Sequence, residues 1–315
     1  MLLKSAVDIS NCAYPYLFTK NARTAWYNIL ESIKVSKDRK LKLLLPAYIG
    51  INDKEGSGVF DAVSKSNADF VFYKVTGNLQ VDIEDFNQKI QNENFDLALV
   101  IHYFGFSRID MAWVKATCRK NNVILVEDCA HAFYIGDNLS KIGSYGDFSF
   151  YSLHKYLAVS TGGLLRVNNS ALVRPQLNSE DMIDLTALER FATSDFNEIA
   201  KLRKRNYKYY QEKIISNENI EVLFDLNDED IPQTFPIRVK NGLREKLYFY
   251  LLENDIPTVA LYYRMIPQIL PSEFALSFLI SSEILNLPVH QDTVLKDIDL
   301  VCSKIDDFFG DIHDL

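Results

Sequence analysis

Two nearby stretches, VILVEDCAHAF at Val123–Phe133 and IGSYGDFSFYSLHKYLAVSTGGLLRV at Ile142–Val167, decide how this chain is read. VILVED is apolar until its last two residues, the pattern of a strand buried on both faces that delivers polar side chains only at its carboxyl end. The second stretch predicts two further strands around a turn. Working outward, the apolar runs LKLLLPA (Leu41–Ala47), DFVFYKV (Asp69–Val75) and DLALVIH (Asp96–His102) are each followed by a helical pattern, around Asp53–Lys65, Asp82–Ile90 and Asp110–Lys120. Strands joined by crossover helices predict an α/β fold: a mostly parallel central sheet with helices on both faces and right-handed connections.

Beyond Asp181 the pattern changes. A helical segment is predicted from Met182 to about Ile215, then a strand TFPIRV, a helix GLREKLYFYLLEND, an irregular Pro-containing segment from Ile256 to Pro271, and a last helix from about Asp292 to Phe309. In that helix Val294, Ile298, Val301, Ile305 and Phe308 recur at three- and four-residue steps and form one apolar face. The expected organisation is a large domain over residues 1–180 and a smaller C-terminal α+β domain over 181–315.

The 315 residues include 48% hydrophobic ones, enough for one large core and a smaller second one. With 34 Lys plus Arg against 42 Asp plus Glu, the net charge is −8, which gives no footprint for a nucleic-acid backbone or an anionic membrane. The basic, tyrosine-rich KLRKRNYKYYQEK (Lys201–Lys213) is followed by the acidic DLNDED and reads as a solvated helix face. Cys12, Cys118, Cys129 and Cys302 are too scattered for a zinc ribbon and too few for a stapled secreted scaffold. MLLKSAVDIS lacks the apolar stretch of a secretion signal, and no run approaches the roughly 20 apolar residues that span a bilayer. A cytoplasmic protein is expected.

There is no GxGxxG after the first strand, no Walker loop, no HExxH and no GxSxG. Polar residues gather instead where strands end: His102–Gly105 (HYFG), Glu127–His131 (EDCAH) and Ser152–Lys155 (SLHK). In an open parallel sheet that edge is where ligands collect. Asp128 alone would serve as a helix cap or a sheet-end hydrogen-bonding group, and Lys155 alone as a solvent-facing or ion-paired lysine. Together they offer what pyridoxal 5'-phosphate requires, an amine for its aldehyde and a carboxylate for its ring nitrogen, with Ser152 and His154 as phosphate donors. His102 reads as a structural histidine. Gly162 and Gly163 read as a turn, and Tyr48 fits a pocket wall or the core.

LLLPAY, VIHYFGF, VILVEDCAHAF, IGSYGDFSFYSLHKYL, STGGLL and the weaker ILNLPVHQDTVLKDIDLVCSKI occur in an order and spacing that resemble the fold-type I pyridoxal phosphate enzymes, and among them the DegT/DnrJ/EryC1/StrS sugar aminotransferases. The resemblance runs from about Asn21 to the C-terminus. It implies that Lys155 is the lysine bonded to the cofactor and Asp128 the partner of its ring nitrogen. It places His131 at the phenolic oxygen and Ala130 against one ring face. Asn21–Thr24 (NART) resembles a Ser-Gly-Thr phosphate cradle, in which the amides of Ala22 and Arg23 and the hydroxyl of Thr24 would act at a helix start. The family serine five residues before the lysine is Phe150 here, so Ser152 and His154 are favoured as phosphate donors and Ser149 is held in reserve.

The implied activity is transfer of an amino group, from glutamate, to a nucleotide-linked ketosugar or similar carbonyl substrate by a homodimer. Two departures bear on the substrate. AYIG puts Ile49 and Gly50 where the family has Thr and an aromatic that stacks on the cofactor, so stacking must come from Tyr48 or elsewhere. The segment 168–200 is also short and lacks the Asn-Tyr-Arg stretch that reaches the neighbouring subunit's site in relatives. Alternatives are another pyridoxal phosphate-dependent sugar-modifying enzyme, such as a dehydratase or lyase, or a binding protein of this fold with little catalytic activity. Lys155 favours transamination, because dehydratase relatives carry histidine there.

Overall fold

Four of the apolar runs pair side by side and in parallel, because each is too apolar to face water and each returns through a helix. In the computed structural model, which describes residues 16–53, 56–132 and 141–313, the first half of the chain runs β1 (Tyr16–Thr19), α1 (Ala22–Lys37), β2 (Lys42–Pro46), α2 (Phe60–Ser66), β3 (Asp69–Tyr73), α3 (Ile83–Asn92), β4 (Leu97–Ile101), α4 (Met111–Lys120), β5 (Ile124–Cys129), β6 (Phe148–Ser152) and β7 (Gly163–Val167). Cys12, the MLLKSAVDIS stretch and Phe133 lie outside the described residues. These strands form a seven-stranded sheet in the order β1-β7-β6-β5-β4-β2-β3. The pairs β3–β2, β2–β4, β4–β5 and β5–β6 are parallel, whereas β7 is antiparallel to β6 and β1.

The second half contributes α5 (Leu185–Thr193), α6 (Phe196–Lys213), β8 (Ile220–Val222), β9 (Thr234–Val239), α7 (Arg244–Glu253), α8 (Ala275–Glu283), β10 (Ile284–Pro288) and α9 (Leu295–His313). Its strands make a separate antiparallel sheet ordered β10-β9-β8. Apolar packing is nevertheless continuous: Phe106, beyond β4, stacks on Phe224 at 4.7 Å, and Tyr207 of α6 lies 4.7 Å from Phe235 of β9. Among the described residues no helix is long and apolar enough to cross a membrane.

Local chemistry explains where the helices start. Asp82, Asp110, Asp184 and Asp195 are N-caps whose carboxylates accept from the amides of Asp85, Trp113, Ala187 and Glu198. Asp195 also divides what the sequence predicts as one helical segment into α5 and α6, since a residue capping a new helix cannot continue the old one. The helix predicted around Asp53–Lys65 shortens to α2, because Gly56 (φ 71°) and Gly58 occupy a turn before it. α8 and β10 are additions to the sequence reading. β10 pairs with β9 and bridges to Val259 at Asn286, both distant in sequence, so no local signal marks it.

Candidate active site

The strand register brings the polar clusters to one edge of the large sheet. Asp128 stands between Ile101 of β4 and Phe150 of β6, while Ser152 is opposite Gly163, which in turn is opposite Thr19. Because side chains alternate across a strand, Asp128, Phe150 and Ser152 share one face, and Glu127, Ser149 and Tyr151 share the other. Trp26 of α1 stacks on Phe150 at 5.6 Å, so α1 covers the Asp128 face. The start of α1 is pressed against β7: a Cβ at Gly163 would collide with the Asn21 backbone, which only glycine avoids. Thus Ala22, Arg23, Thr24, Asp128, Ser152 and the turn Leu153–Lys155 meet at the carboxyl ends of the parallel strands.

Asp128 is 2% exposed. Its Oδ1 accepts from the Ala130 amide at 2.8 Å, and among the described residues Oδ2 accepts no hydrogen bond. Burial pushes the carboxyl up to about 6, opposed by the Ala130 hydrogen bond and then by the charges of Lys155 and His102. His131 is buried beside it and stacks on Phe104 at 5.8 Å. The Phe104 amide donates to His131 Nδ1 at 3.4 Å, which leaves the proton on Nε2, a donor with no partner among the described residues. Burial first, then the positive charges of Lys155 and His154, hold this imidazole neutral, well below its ordinary pKa. Among the described residues, one acceptor of Asp128 and one donor of His131 thus keep no hydrogen bond beside a half-buried lysine. A protonated ring nitrogen, a phenolic oxygen and an aldehyde are the complementary set, so these residues fit pyridoxal phosphate.

The remaining predicted residues fall into place unevenly. The Thr24 amide donates to the Asn21 side chain at 2.9 Å and the Arg23 side chain pairs with Asp61 at 3.2 Å, neither of which involves the expected cradle groups, the amides of Ala22 and Arg23 and the Thr24 hydroxyl. Ser152 Oγ and His154 Nδ1 lie 3.1 Å apart, Ser152 buried and His154 exposed. Ser149 is fully buried on the opposite face from Asp128. Ala130 is half-buried at the turn after β5. Tyr48 is completely buried, edge-on to Tyr103 at 5.3 Å, which favours the core over the pocket wall.

His102 is structural. Its Nε2 lies 2.8 Å from Glu127 Oε2, and the same buried carboxylate accepts from the amides of Gly143 (3.0 Å), Tyr145 (2.7 Å) and Gly146 (2.5 Å). Glu127 thereby ties the loop before β6 to the back of β5. With both its oxygens taken, the buried group His102, Glu127 and Cys129 has little left to offer a metal ion. Glu127→Gln turns one acceptor into a donor facing backbone N–H groups, and is expected to lower unfolding free energy by about 3 kcal/mol, measured by urea denaturation.

Sequence reasoning missed Tyr262, which precedes α8. Its ring lies 5.5 Å from that of His131, 5.3 Å from Tyr48 and 6.2 Å from Phe104, and burial followed by the negative charge of Asp128 pushes its phenol well up. It has φ 61°, the left-handed region that bulky residues avoid. A Cβ at Gly50 would stand 2.5 Å from Tyr262 Cδ1, so Tyr262 fills the space that a side chain at position 50 would take. Gly50 in AYIG was the one available signal. Gly50→Ala is expected to cost about 1–3 kcal/mol in urea denaturation, because the ring must shift.

Residues 57–177, which carry Asp128 and Lys155, match the model of the DegT/DnrJ/EryC1/StrS aminotransferase family. The chain is 32% identical over 106 residues to GDP-perosamine synthase of Vibrio cholerae, covering 33% of this chain and 28% of that one. It is 26% identical over 236 residues to dTDP-3-amino-3,6-dideoxy-alpha-D-galactopyranose transaminase of Aneurinibacillus thermoaerophilus, covering 66% of this chain and 64% of that one. These matches therefore span less than two thirds of the relatives' own lengths. In fold it is similar to the aminotransferase TlmJ from Streptoalloteichus hindustanus, with a TM-score of 0.77 at 17% identity over 95% of this chain and 87% of that one. The likeness to the DegT/DnrJ/EryC1/StrS aminotransferase family is thus carried by the segment that builds the Asp128 and Lys155 edge of the sheet.

Proposed function

We propose that the protein is a pyridoxal phosphate-dependent aminotransferase that moves an amino group, from glutamate, to a nucleotide-linked ketosugar. The observation that carries the cofactor is the unpaired Asp128 Oδ2 and His131 Nε2–H at the sheet edge that also bears Lys155. The sugar substrate rests on the family match and on relatives named for nucleotide-linked sugars.

In this reading residues 1–180 bind the cofactor, 181–315 form the smaller domain, and the working unit is a homodimer. Bound pyridoxal phosphate supplies an electron sink that makes the proton beside a substrate amino group acidic. Asp128 holds a proton on the ring nitrogen, and a carboxylate set in low dielectric does so strongly. His131 donates from Nε2 to the phenolic oxygen. The start of α1, with Ser152 and His154, binds the phosphate, where unpaired amides and the positive helix end favour an anion. Lys155 would supply the amine that holds the cofactor's aldehyde, and its Nζ, once freed by the amino donor, would carry the proton from the donor's α-carbon. Tyr262 walls the site in place of the missing aromatic at position 50.

Purified protein mixed with pyridoxal phosphate should develop a visible absorbance band, and borohydride should fix the cofactor to Lys155, located by peptide mass spectrometry. Glutamate and a panel of nucleotide ketosugars should then yield 2-oxoglutarate and an aminosugar in equal amounts. Ketosugar loss without 2-oxoglutarate would favour a dehydratase or lyase. Cofactor fixed to Lys155 with no turnover of any ketosugar would favour a binding protein.

A further inference from the structure

Arg203 of α6 is a buried cation whose hydrogen bonds among the described residues all go to neutral groups, the charge of Asp292 acting on it only at longer range. It is 2% exposed, and among the described residues no carboxylate pairs with it. Its donors all go to neutral acceptors: Nε to Gln291 Oε1 at 3.0 Å, Nη1 to the carbonyls of Pro232 and Gln233 at 3.2 Å each, and Nη2 to the carbonyl of Lys155 at 3.1 Å. Gln291, oriented by that bond, donates through Nε2 to the Tyr156 carbonyl at 3.0 Å. Two successive carbonyls at the lysine turn are therefore gripped by side chains from a different part of the chain. The guanidinium also lies over the Tyr156 ring at 4.5 Å, and the Tyr156 hydroxyl donates to the His131 carbonyl at 2.5 Å.

Burying a guanidinium on carbonyls is unfavourable relative to an apolar side chain of similar size, so stability gives little reason for one here. What the arrangement does provide is rigidity at one place. The turn Leu153–Lys155 is a single 3₁₀ turn with weak hydrogen-bond geometry, and a reacting group must be held within a fraction of an ångström. Burial lowers the guanidinium pKa only to about 10, so the clamp keeps its charge at neutral pH.

We infer that Arg203 and Gln291 are positioning residues that set the reach of the Lys155 amine by holding the carbonyls of Lys155 and Tyr156, an inference that rests on the cofactor reading above. The clamp acts on the bond between Lys155 and the aldehyde, and leaves the phosphate and ring anchors alone. Its signature is thus a difference between two ligands. Pyridoxal phosphate bonds to Lys155; pyridoxamine phosphate has no aldehyde and cannot.

Dissociation constants of both ligands are to be measured by fluorescence titration for the full-length wild type, Arg203→Met, Arg203→Lys and Gln291→Leu, with thermal melts as a folding control. The expected result is about tenfold weaker pyridoxal phosphate binding per lost hydrogen bond, with pyridoxamine phosphate affinity within about twofold of wild type and Arg203→Lys intermediate. Should Arg203→Met fail to fold, Gln291→Leu, which removes only the half-buried partner, carries the test. Equal weakening of both ligands, or no change in either, would overturn the inference. If wild type binds neither ligand, the cofactor reading itself fails, an outcome distinct from the other two.

Discussion

Lys155→Ala is expected to abolish borohydride fixation of the cofactor and to lower amino transfer by at least about 10⁴-fold, since it removes both the bonded amine and the proton carrier. Pyridoxamine phosphate should still bind, because Asp128, His131 and the start of α1 remain. A structural consequence follows from the charges. Lys155 is among the groups that restrain the Asp128 pKa, so its loss moves that carboxyl further up and shifts any pH-dependent ligand binding to higher pH. Equilibrium binding of pyridoxamine phosphate across pH 5–8, compared between the variant and wild type, reads this directly. Undiminished amino transfer in Lys155→Ala would remove the chemical basis of the proposal.

Asp128→Asn should have opposite effects on catalysis and on stability. Without a carboxylate the ring nitrogen loses its proton, and turnover is expected to fall by roughly 10²–10³-fold. The ligand-free protein, however, should become more stable at neutral pH. A carboxyl raised from 3.8 to about 6 on folding binds more protons in the folded than in the unfolded state across that window, so stability falls as pH rises through it. Above the window the wild type carries a penalty of at most about 3 kcal/mol, which the neutral amide removes while keeping the Ala130 hydrogen bond. Urea denaturation at pH 4.5 and pH 7.5 measures it: the gain should appear at the higher pH and shrink at the lower one. An equal loss of stability at both pH values would mean that Asp128 is a structural cap.

These two residues were legible in the sequence for a physical reason. A buried parallel strand is continuously apolar, so the acid that closes VILVED and the lysine after FSFYSLH stand out against it, and both lie at the edge where ligands gather. Two predicted helices begin at Asp82 and Asp110, which cap them, whereas the caps Asp184 and Asp195 went unread inside one predicted helical segment. By contrast, Ser149 and Ser152 were inseparable until pairing with β5 and β7 placed them on opposite faces, and Tyr48 could be assigned to the core only once Tyr103 and Tyr262 packed around it.

Arg203 and Tyr262 were hidden for the opposite reason. Arg203 sits in KLRKRNYKYYQEK, where its neighbours Lys201, Arg205 and Lys208 are exposed, and nothing in the spacing separates the one buried cation from the solvated ones. Tyr262 lies in a segment with no regular periodicity, and its place over the site depends on a glycine more than two hundred positions earlier. The sequence by itself determined the α/β class, the polar sheet edge and the pair Asp128 and Lys155, because strand burial and capping are written in short-range patterns. Only the tertiary structure decided which groups remain unpaired beside that pair, what clamps the lysine turn and which aromatic walls the site, because those contacts join residues that no local rule connects.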